Sequence, residues 1–184
     1  MFSLNFRKLV GFLLSLLIGI FIYQVVLPEN LYSEDLFLDN FETYPTILIQ
    51  QTIDDSQTIN QSIFDQAIRN YQQENFEVAA LDFEKLQEGQ ENDIFFQFYE
   101  GVSQLGAYRN GDAIQIFYKL LSRSDHLLVE QSRWYLALTY LQYDDWASTK
   151  RELKKIQPDA YKYKEAQKLF KRINAIQKKK STVE

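Results

Sequence analysis

The chain has 184 residues with 25 acidic and 20 basic side chains, one histidine and no cysteine. This length allows one domain with a substantial core, and the lack of cysteine excludes disulfides, thiolate metal sites and cysteine nucleophiles. Only six glycines and three prolines occur, which favours helices over a β-sandwich.

The first element is an apolar stretch at residues 9–27, followed directly by Pro28 and Glu29. A helix of about 19 residues spans roughly 28 Å, close to the ~30 Å hydrocarbon core of a bilayer. Basic residues precede the stretch and acidic residues follow it, so the positive-inside rule keeps residues 1–8 cytoplasmic. We therefore predict a single-pass signal anchor in the inner (cytoplasmic) membrane, with the C-terminal domain periplasmic. A cleaved signal peptide is disfavoured because no Ala-x-Ala-like site follows.

Three small residues in this stretch, Gly11, Ser15 and Gly19, recur every four positions. They share one helix face, where small side chains allow a second membrane helix to approach closely. They are the candidate dimer face of the anchor, and the alternative is that they face lipid.

Residues 28–58 form a leader ahead of the main domain. Its apolar residues predict one short amphipathic helix, namely Leu36, Phe37, Leu38 and Phe41. Pro45 forces its predecessor out of the helical region and ends this helix. We expect the apolar run at residues 47–49 to lie extended across the helices that follow.

From residue 59 onward, apolar residues recur with a helical period. The predicted helices cover residues 59–73, 76–87, 93–108, 111–122, 126–143, 145–156 and 160–178. Within them one pattern occurs three times, beginning at Phe76, Asn110 and Trp146. The three starting points are 34 and 36 residues apart. After its starting residue the pattern places a small residue first, a large apolar residue four positions later and an aliphatic residue three positions after that. A small residue at a helix crossing allows close packing, and the larger residues fill the next groove.

This pattern resembles the tetratricopeptide repeat (TPR), with Thr149 in place of the usual alanine. The resemblance covers residues 59–157 as three repeats, and residues 158–184 form a basic capping helix and tail. The resemblance implies an all-α fold, an antiparallel helix-pair solenoid. In the full chain this solenoid would follow the one predicted transmembrane helix. The whole layout, including Phe41-x-x-Tyr44-Pro45, is similar to small membrane-anchored TPR proteins of Bacteroidetes.

Adjacent aromatic residues add a second signal, because a helix has only about 100° of core-facing surface. Both members of a pair such as Phe95-Phe96 or Trp134-Tyr135 cannot occupy its centre, so one of each is expected to face the groove or a neighbouring helix. The candidate groove residues lie on the first helix of each repeat and are Gln66, Asn70, Phe96, Glu100, Arg133 and Tyr140.

TPR arrays bind peptides or protein segments on their concave face. The resemblance therefore implies a membrane-anchored extracytoplasmic protein–protein interaction module, a scaffold or adaptor within a membrane-associated complex. One alternative is a regulatory membrane protein that signals through dimerisation of its anchor as a homodimer. Another is a lipid-surface role for the basic residues 150–180.

Little in the sequence suggests an enzyme. The single histidine, His126, lies at a predicted helix start, and the acidic pairs lie at loops or helix starts, where carboxylates favour the helix dipole; they are Asp54-Asp55, Asp144-Asp145 and Glu91/Asp93. Phosphate-binding loops and hydrolase or metalloprotease motifs are absent from the sequence. We expect no catalytic residues, cofactor, metal or nucleic-acid partner.

Overall fold

The computed structural model describes residues 11–20, 27–52, 60–88, 93–123 and 127–182. Within these ranges all regular secondary structure is helical, which confirms the predicted all-α class. Residues 11–20 are helical. They are followed by α1 (Leu27–Leu38), α2 (Ile47–Thr52), α3 (Gln61–Gln72), α4 (Phe76–Leu86), α5 (Ile94–Gly106), α6 (Asn110–Leu121), α7 (Val129–Gln142), α8 (Trp146–Lys155) and α9 (Tyr163–Lys180). From α3 onward, every helix boundary lies within three residues of its prediction.

Side-chain caps account for several of these boundaries. The Asp93 carboxylate accepts hydrogen bonds from the first backbone N–H groups of α5, and Asp145 does the same for α8. Asn60 caps α3 in the same way. Such caps pair donors that have no partner inside the helix, so these two predicted acidic helix starts have a structural role.

The leader differs from prediction at residues 47–49, which are helical rather than extended. The N–H of Gln50 donates to the carbonyl of Thr46 at 3.1 Å, which closes the first turn of α2. Ile49 is fully buried, whereas Ile47 is 57% exposed. A single buried side chain needs no strand, and the helical turn satisfies the backbone locally.

Six of the helices form three antiparallel hairpins, α3–α4, α5–α6 and α7–α8, and we call the two members of each hairpin its first and second helix. The three turns have the same geometry. Each contains one residue with positive φ, namely Glu74 (59°), Tyr108 (61°) and Asp144 (60°). The next N–H donates to the carbonyl five residues earlier: Asn75 to Asn70 at 2.9 Å, Arg109 to Gln104 at 2.8 Å and Asp145 to Tyr140 at 2.9 Å. The hairpin is therefore a true structural repeat.

The hairpins stack in chain order, so that each helix from α3 to α9 packs against the next. The small residues predicted on the second helices, Ala79, Ala113 and Thr149, are fully buried, and so are Ala67, Gly101 and Ala137 on the first helices. A Cβ added at Gly101 would meet Ile116 and Phe117 at 3.0 Å, which shows how closely α5 and α6 approach. Close packing around small residues thus builds the stack, as the sequence pattern predicts.

The last helix, α9, covers α8 in an antiparallel orientation. Lys150, midway along α8, donates to Gln177 at 2.6 Å, and Lys154, near its end, lies 5.3 Å from the ring centre of Phe170. The inner side of α9 is apolar and its other side is rich in lysine. This arrangement is expected of a terminal element that shields a stacked core.

The predicted membrane span is described only in part. Its residues 9, 10 and 21–26 lie outside the described ranges, and residues 11–20 form a helix whose side chains are all exposed. Among the described residues, no helix combines the length and the apolar character needed to cross a membrane.

Candidate functional site

The candidate site is a groove across the first helices, and the leader of this chain lies in it. Residues 41–45, which we call the FETYP segment, join α1 to α2 without regular secondary structure. One tyrosine from each first helix hydrogen-bonds to the backbone of this region: the Tyr135 hydroxyl donates to the Glu42 carbonyl at 2.8 Å, the Tyr99 hydroxyl donates to the Pro45 carbonyl at 2.6 Å, and the Tyr71 hydroxyl accepts from the Tyr44 N–H at 2.8 Å. All three hairpins therefore hold one segment that has no regular secondary structure.

The first anchoring side chain of the segment is Phe41. Its ring stacks on Phe37 of α1 at 5.0 Å between centroids. It also makes edge contacts with Phe76 at 5.8 Å and Tyr135 at 6.5 Å. Such aromatic contacts contribute about 0.5–1.5 kcal/mol each beyond the area they bury.

The second anchor is Tyr44, three residues further along. Its ring meets Phe98 edge-on at 5.1 Å and Tyr99 at 6.3 Å. Both partners belong to α5, the central first helix. The segment is thus held by two aromatic side chains, Phe41 and Tyr44. The tyrosine hydroxyls bond to its backbone at Glu42, between these two residues, and at Tyr44 and Pro45.

The flanking helices fix the segment at both ends. In α1, Leu36 and Phe37 are buried, and the Ser33 hydroxyl accepts a hydrogen bond from the Trp146 indole N–H at 2.5 Å. At the other end, Gln72 donates to the Thr46 hydroxyl at 2.9 Å. The leader is therefore part of the packed structure.

Two ion pairs join the leader to α9. Arg172 lies 2.9 Å from the Asp39 carboxylate, and Lys162 pairs with Glu42. Three of these four side chains are about half exposed, and such pairs contribute at most about 1 kcal/mol each. Aromatic burial and backbone bonds therefore hold the leader, and the ion pairs only add to them.

The three groove tyrosines remain neutral over a wide pH range. Burial raises the pKa of Tyr71 and Tyr135 well above the usual value, and the surrounding tyrosine hydroxyls add to the effect. Burial also raises the pKa of Tyr99. Their hydroxyl protons are thus available for hydrogen bonding at any physiological pH.

The six residues predicted to line the groove differ in their burial, from fully buried to exposed. Phe96 is fully buried and belongs to the core. Four others bond to second helices: Asn70 donates to Asp82 at 2.8 Å, Glu100 accepts from Gln87 at 2.6 Å, Arg133 pairs with Glu152 at 3.3 Å, and the Tyr140 and Tyr118 hydroxyls lie 2.7 Å apart. Gln66 is exposed on α3. The polar seam between first and second helices is formed by the four bonded side chains, namely Asn70, Glu100, Arg133 and Tyr140.

Within this seam, a buried carboxylate is balanced by basic side chains. Glu152 is 2% exposed and lies 2.9 Å from Lys155 and 3.3 Å from both Arg133 and Arg151. A buried carboxylate requires such partners, so a structural role explains this cluster. Burial raises the pKa of Glu100, which faces Gln87 in the same seam.

The remaining sequence candidates are covered only in part by the described residues. Gly11, Ser15 and Gly19 are exposed on the helical residues 11–20, and the Ser15 hydroxyl donates to the Phe12 carbonyl at 2.8 Å. Asp54, Asp55, Glu91 and His126 lie outside the described residues. The described ranges contain no group of three or more histidine or acidic residues arranged to hold a metal ion.

The sequence contained a partial signal for the face that binds the leader. Trp134 and Tyr135 are adjacent, and one of the two was expected to face the groove or a neighbouring helix; Tyr135 does contact the leader. Phe98 and Tyr99 form a similar pair, and both contact Tyr44. What the sequence did not reveal is that the leader itself fills this face.

No protein-family model matches the chain, and no curated protein matches it either.

Proposed function

We propose that this protein is a membrane-anchored, extracytoplasmic interaction module that docks an extended segment of a partner protein across its first helices. The observation that carries the proposal is the set of three tyrosine hydroxyls, one per hairpin, bonded to the backbone of the FETYP segment. Backbone bonds provide affinity for any extended polypeptide, and the side-chain pockets beside them provide selectivity. The repeated hairpins and the capping helix also support the TPR-like solenoid inferred from the sequence.

In this proposal the anchor determines where in the cell the module binds its partner. Residues 9–27 would hold the domain against the inner membrane, on its periplasmic side. Tethering concentrates the domain in a thin layer and raises its effective concentration toward membrane-associated partners, without any new contact. The function is therefore that of a scaffold or adaptor in a membrane complex, with no catalytic step.

Site-specific photocrosslinking in cells tests this proposal. A photoreactive residue at Gln72, which is exposed beside the leader, should give a discrete adduct with one partner protein. The same residue at Gln115, exposed on the second helix α6, serves as the matched control and should not give that adduct. Digestion by protease should occur only after the outer envelope is opened.

Two results would contradict the proposal: no intermolecular adduct at Gln72, or a domain that protease reaches only from the cytoplasm. An adduct between two copies of this chain would instead favour the alternative function, signalling through dimerisation.

A further inference from the structure

The contacts of the FETYP segment separate into two classes. Its three backbone bonds would be available to any extended peptide, because every residue carries a carbonyl and nearly every residue carries an N–H group. Its two aromatic anchors are Phe41 and Tyr44. A peptide that makes the same contacts must carry aromatic side chains three positions apart. The anchors therefore determine which peptides fit.

Pro45 adds a third element of selectivity. It has no N–H group, and at this position only its carbonyl is used, as the acceptor for the Tyr99 hydroxyl. Proline also restricts the residue before it to extended conformations. A proline here pre-orders Tyr44 for its pocket on α5 without the loss of a required donor.

We infer that the partner segment shares the chemistry of the leader, an aromatic residue, two spacers, tyrosine and proline, and that the FETYP segment is its competitor within the same chain. This inference rests on the proposed function and specifies the ligand and the regulation of that same groove. The groove is closed by the leader until an external segment displaces it.

The structure leaves an approach beside the segment. A cavity of about 370 Å³ opens next to Tyr44 and Pro45 and reaches Tyr71 and Gln72 on α3. Ile47, on its edge, is 57% exposed. An incoming peptide thus reaches the end of the groove at α3 before it displaces Tyr44.

Competition within one chain has a predictable effect on affinity. A short tether gives the leader an effective concentration in the millimolar range, so an external peptide of equal intrinsic affinity binds the native chain weakly. Only molecules with an open groove bind the peptide, so the apparent affinity equals the intrinsic affinity multiplied by the fraction of molecules whose groove is open. A change that opens the groove tenfold more often therefore tightens apparent binding about tenfold.

The test uses a fluorescent peptide with the sequence of residues 39–50, added to the full chain in detergent micelles and followed by fluorescence anisotropy. Phe41→Ala or Tyr44→Ala in the protein should tighten the apparent Kd for this peptide by at least about tenfold over the native chain. Leu38→Ala, a change at an exposed leader position, is the matched control and should alter Kd by less than about twofold. A peptide with alanine at both aromatic positions should bind at least about tenfold more weakly.

Equal affinity of the native and leader-weakened proteins would overturn the inference, as would binding that ignores the two aromatic residues. A second variant covers the case in which the alanine variants unfold. Thr46→Cys with Gln72→Cys introduces the only two cysteines of the chain, at side chains that contact each other. A short, cleavable bismaleimide joining them should abolish binding at millimolar peptide, and its cleavage should restore it. Undiminished binding to the joined protein would also overturn the inference.

The same locked protein, with the photoreactive residue moved from Gln72 to the adjacent exposed Gln73, separates this inference from the proposed function. In cells, a partner adduct that forms equally well with the locked and the unlocked chain would contradict leader competition and leave the interaction module standing. Peptide competition in vitro without any partner adduct in cells would support the closed groove and contradict the proposed function.

Discussion

Removal of the Tyr135 hydroxyl isolates one of the three bonds that hold the leader. Tyr135→Phe keeps the ring and its stacking on Phe117 at 6.1 Å, but deletes the 2.8 Å hydrogen bond to the Glu42 carbonyl. A neutral hydrogen bond contributes about 0.5–1.5 kcal/mol net. Glu42 is exposed, so water can pair its carbonyl and no large desolvation penalty is added. We therefore expect a loss of about 1 kcal/mol, or about fivefold in the equilibrium for leader docking.

Amide hydrogen exchange at Tyr44 measures this loss directly, because the Tyr44 N–H is bonded to the Tyr71 hydroxyl only when the leader is docked. Its protection should fall about fivefold in Tyr135→Phe. The loss should be the same from about pH 6 to 9, since burial raises the pKa of Tyr135 above this range.

Tyr143→Phe is the matched control, because that side chain is 67% exposed, and it should leave Tyr44 protection unchanged. If Tyr135→Phe also leaves it unchanged, the hydroxyl contributes nothing to docking and the groove is not a backbone-binding site.

Three further changes test the packing around the groove. Gly106→Ala should destabilise the protein by about 1–3 kcal/mol in chemical denaturation, because the new Cβ would lie 2.5 Å from the Phe76 ring; an unchanged midpoint would show that this ring moves freely. Glu152→Gln should cost about 1–3 kcal/mol in urea denaturation, since it leaves three basic side chains without their buried carboxylate, whereas a loss below about 0.5 kcal/mol would make the cluster incidental. Glu100→Gln should raise the melting temperature at neutral pH. Burial raises the pKa of Glu100 in the folded state, so the native glutamate loses stability as pH rises above its unfolded value of about 4.3, and the variant should lack this decline.

Much of the fold could be predicted from sequence because local signals are strong there. Helical periodicity and capping residues such as Asp93 and Asp145 defined the boundaries from α3 onward. The spacing of small residues located the helix crossings, since a buried crossing excludes larger side chains. These features depend on neighbours within one hairpin.

The candidate site was harder to predict, because it depends on contacts between distant parts of the chain. The sequence places Gln66, Asn70, Glu100 and Tyr140 on first helices, but it does not reveal which face the second helices cover. Phe41 and Tyr44 suggested only a short helix and a turn, and their pockets are built from several different helices. Residues 47–49 are helical, against the expectation of an extended run, because only Ile49 is buried and a helical turn satisfies the backbone locally.

The long sequence separation of the leader contacts has a consequence for how the chain folds during synthesis. Ser33 lies 113 residues before its partner Trp146, and Glu42 lies 93 residues before Tyr135, whereas each hairpin closes between neighbouring helices. Non-local contacts form late, and the leader is made first. At about 5–20 residues per second, it waits roughly 6–23 s for Trp146 to be made. During that interval its apolar residues are open to chaperones, and each hairpin is able to close before the leader covers it.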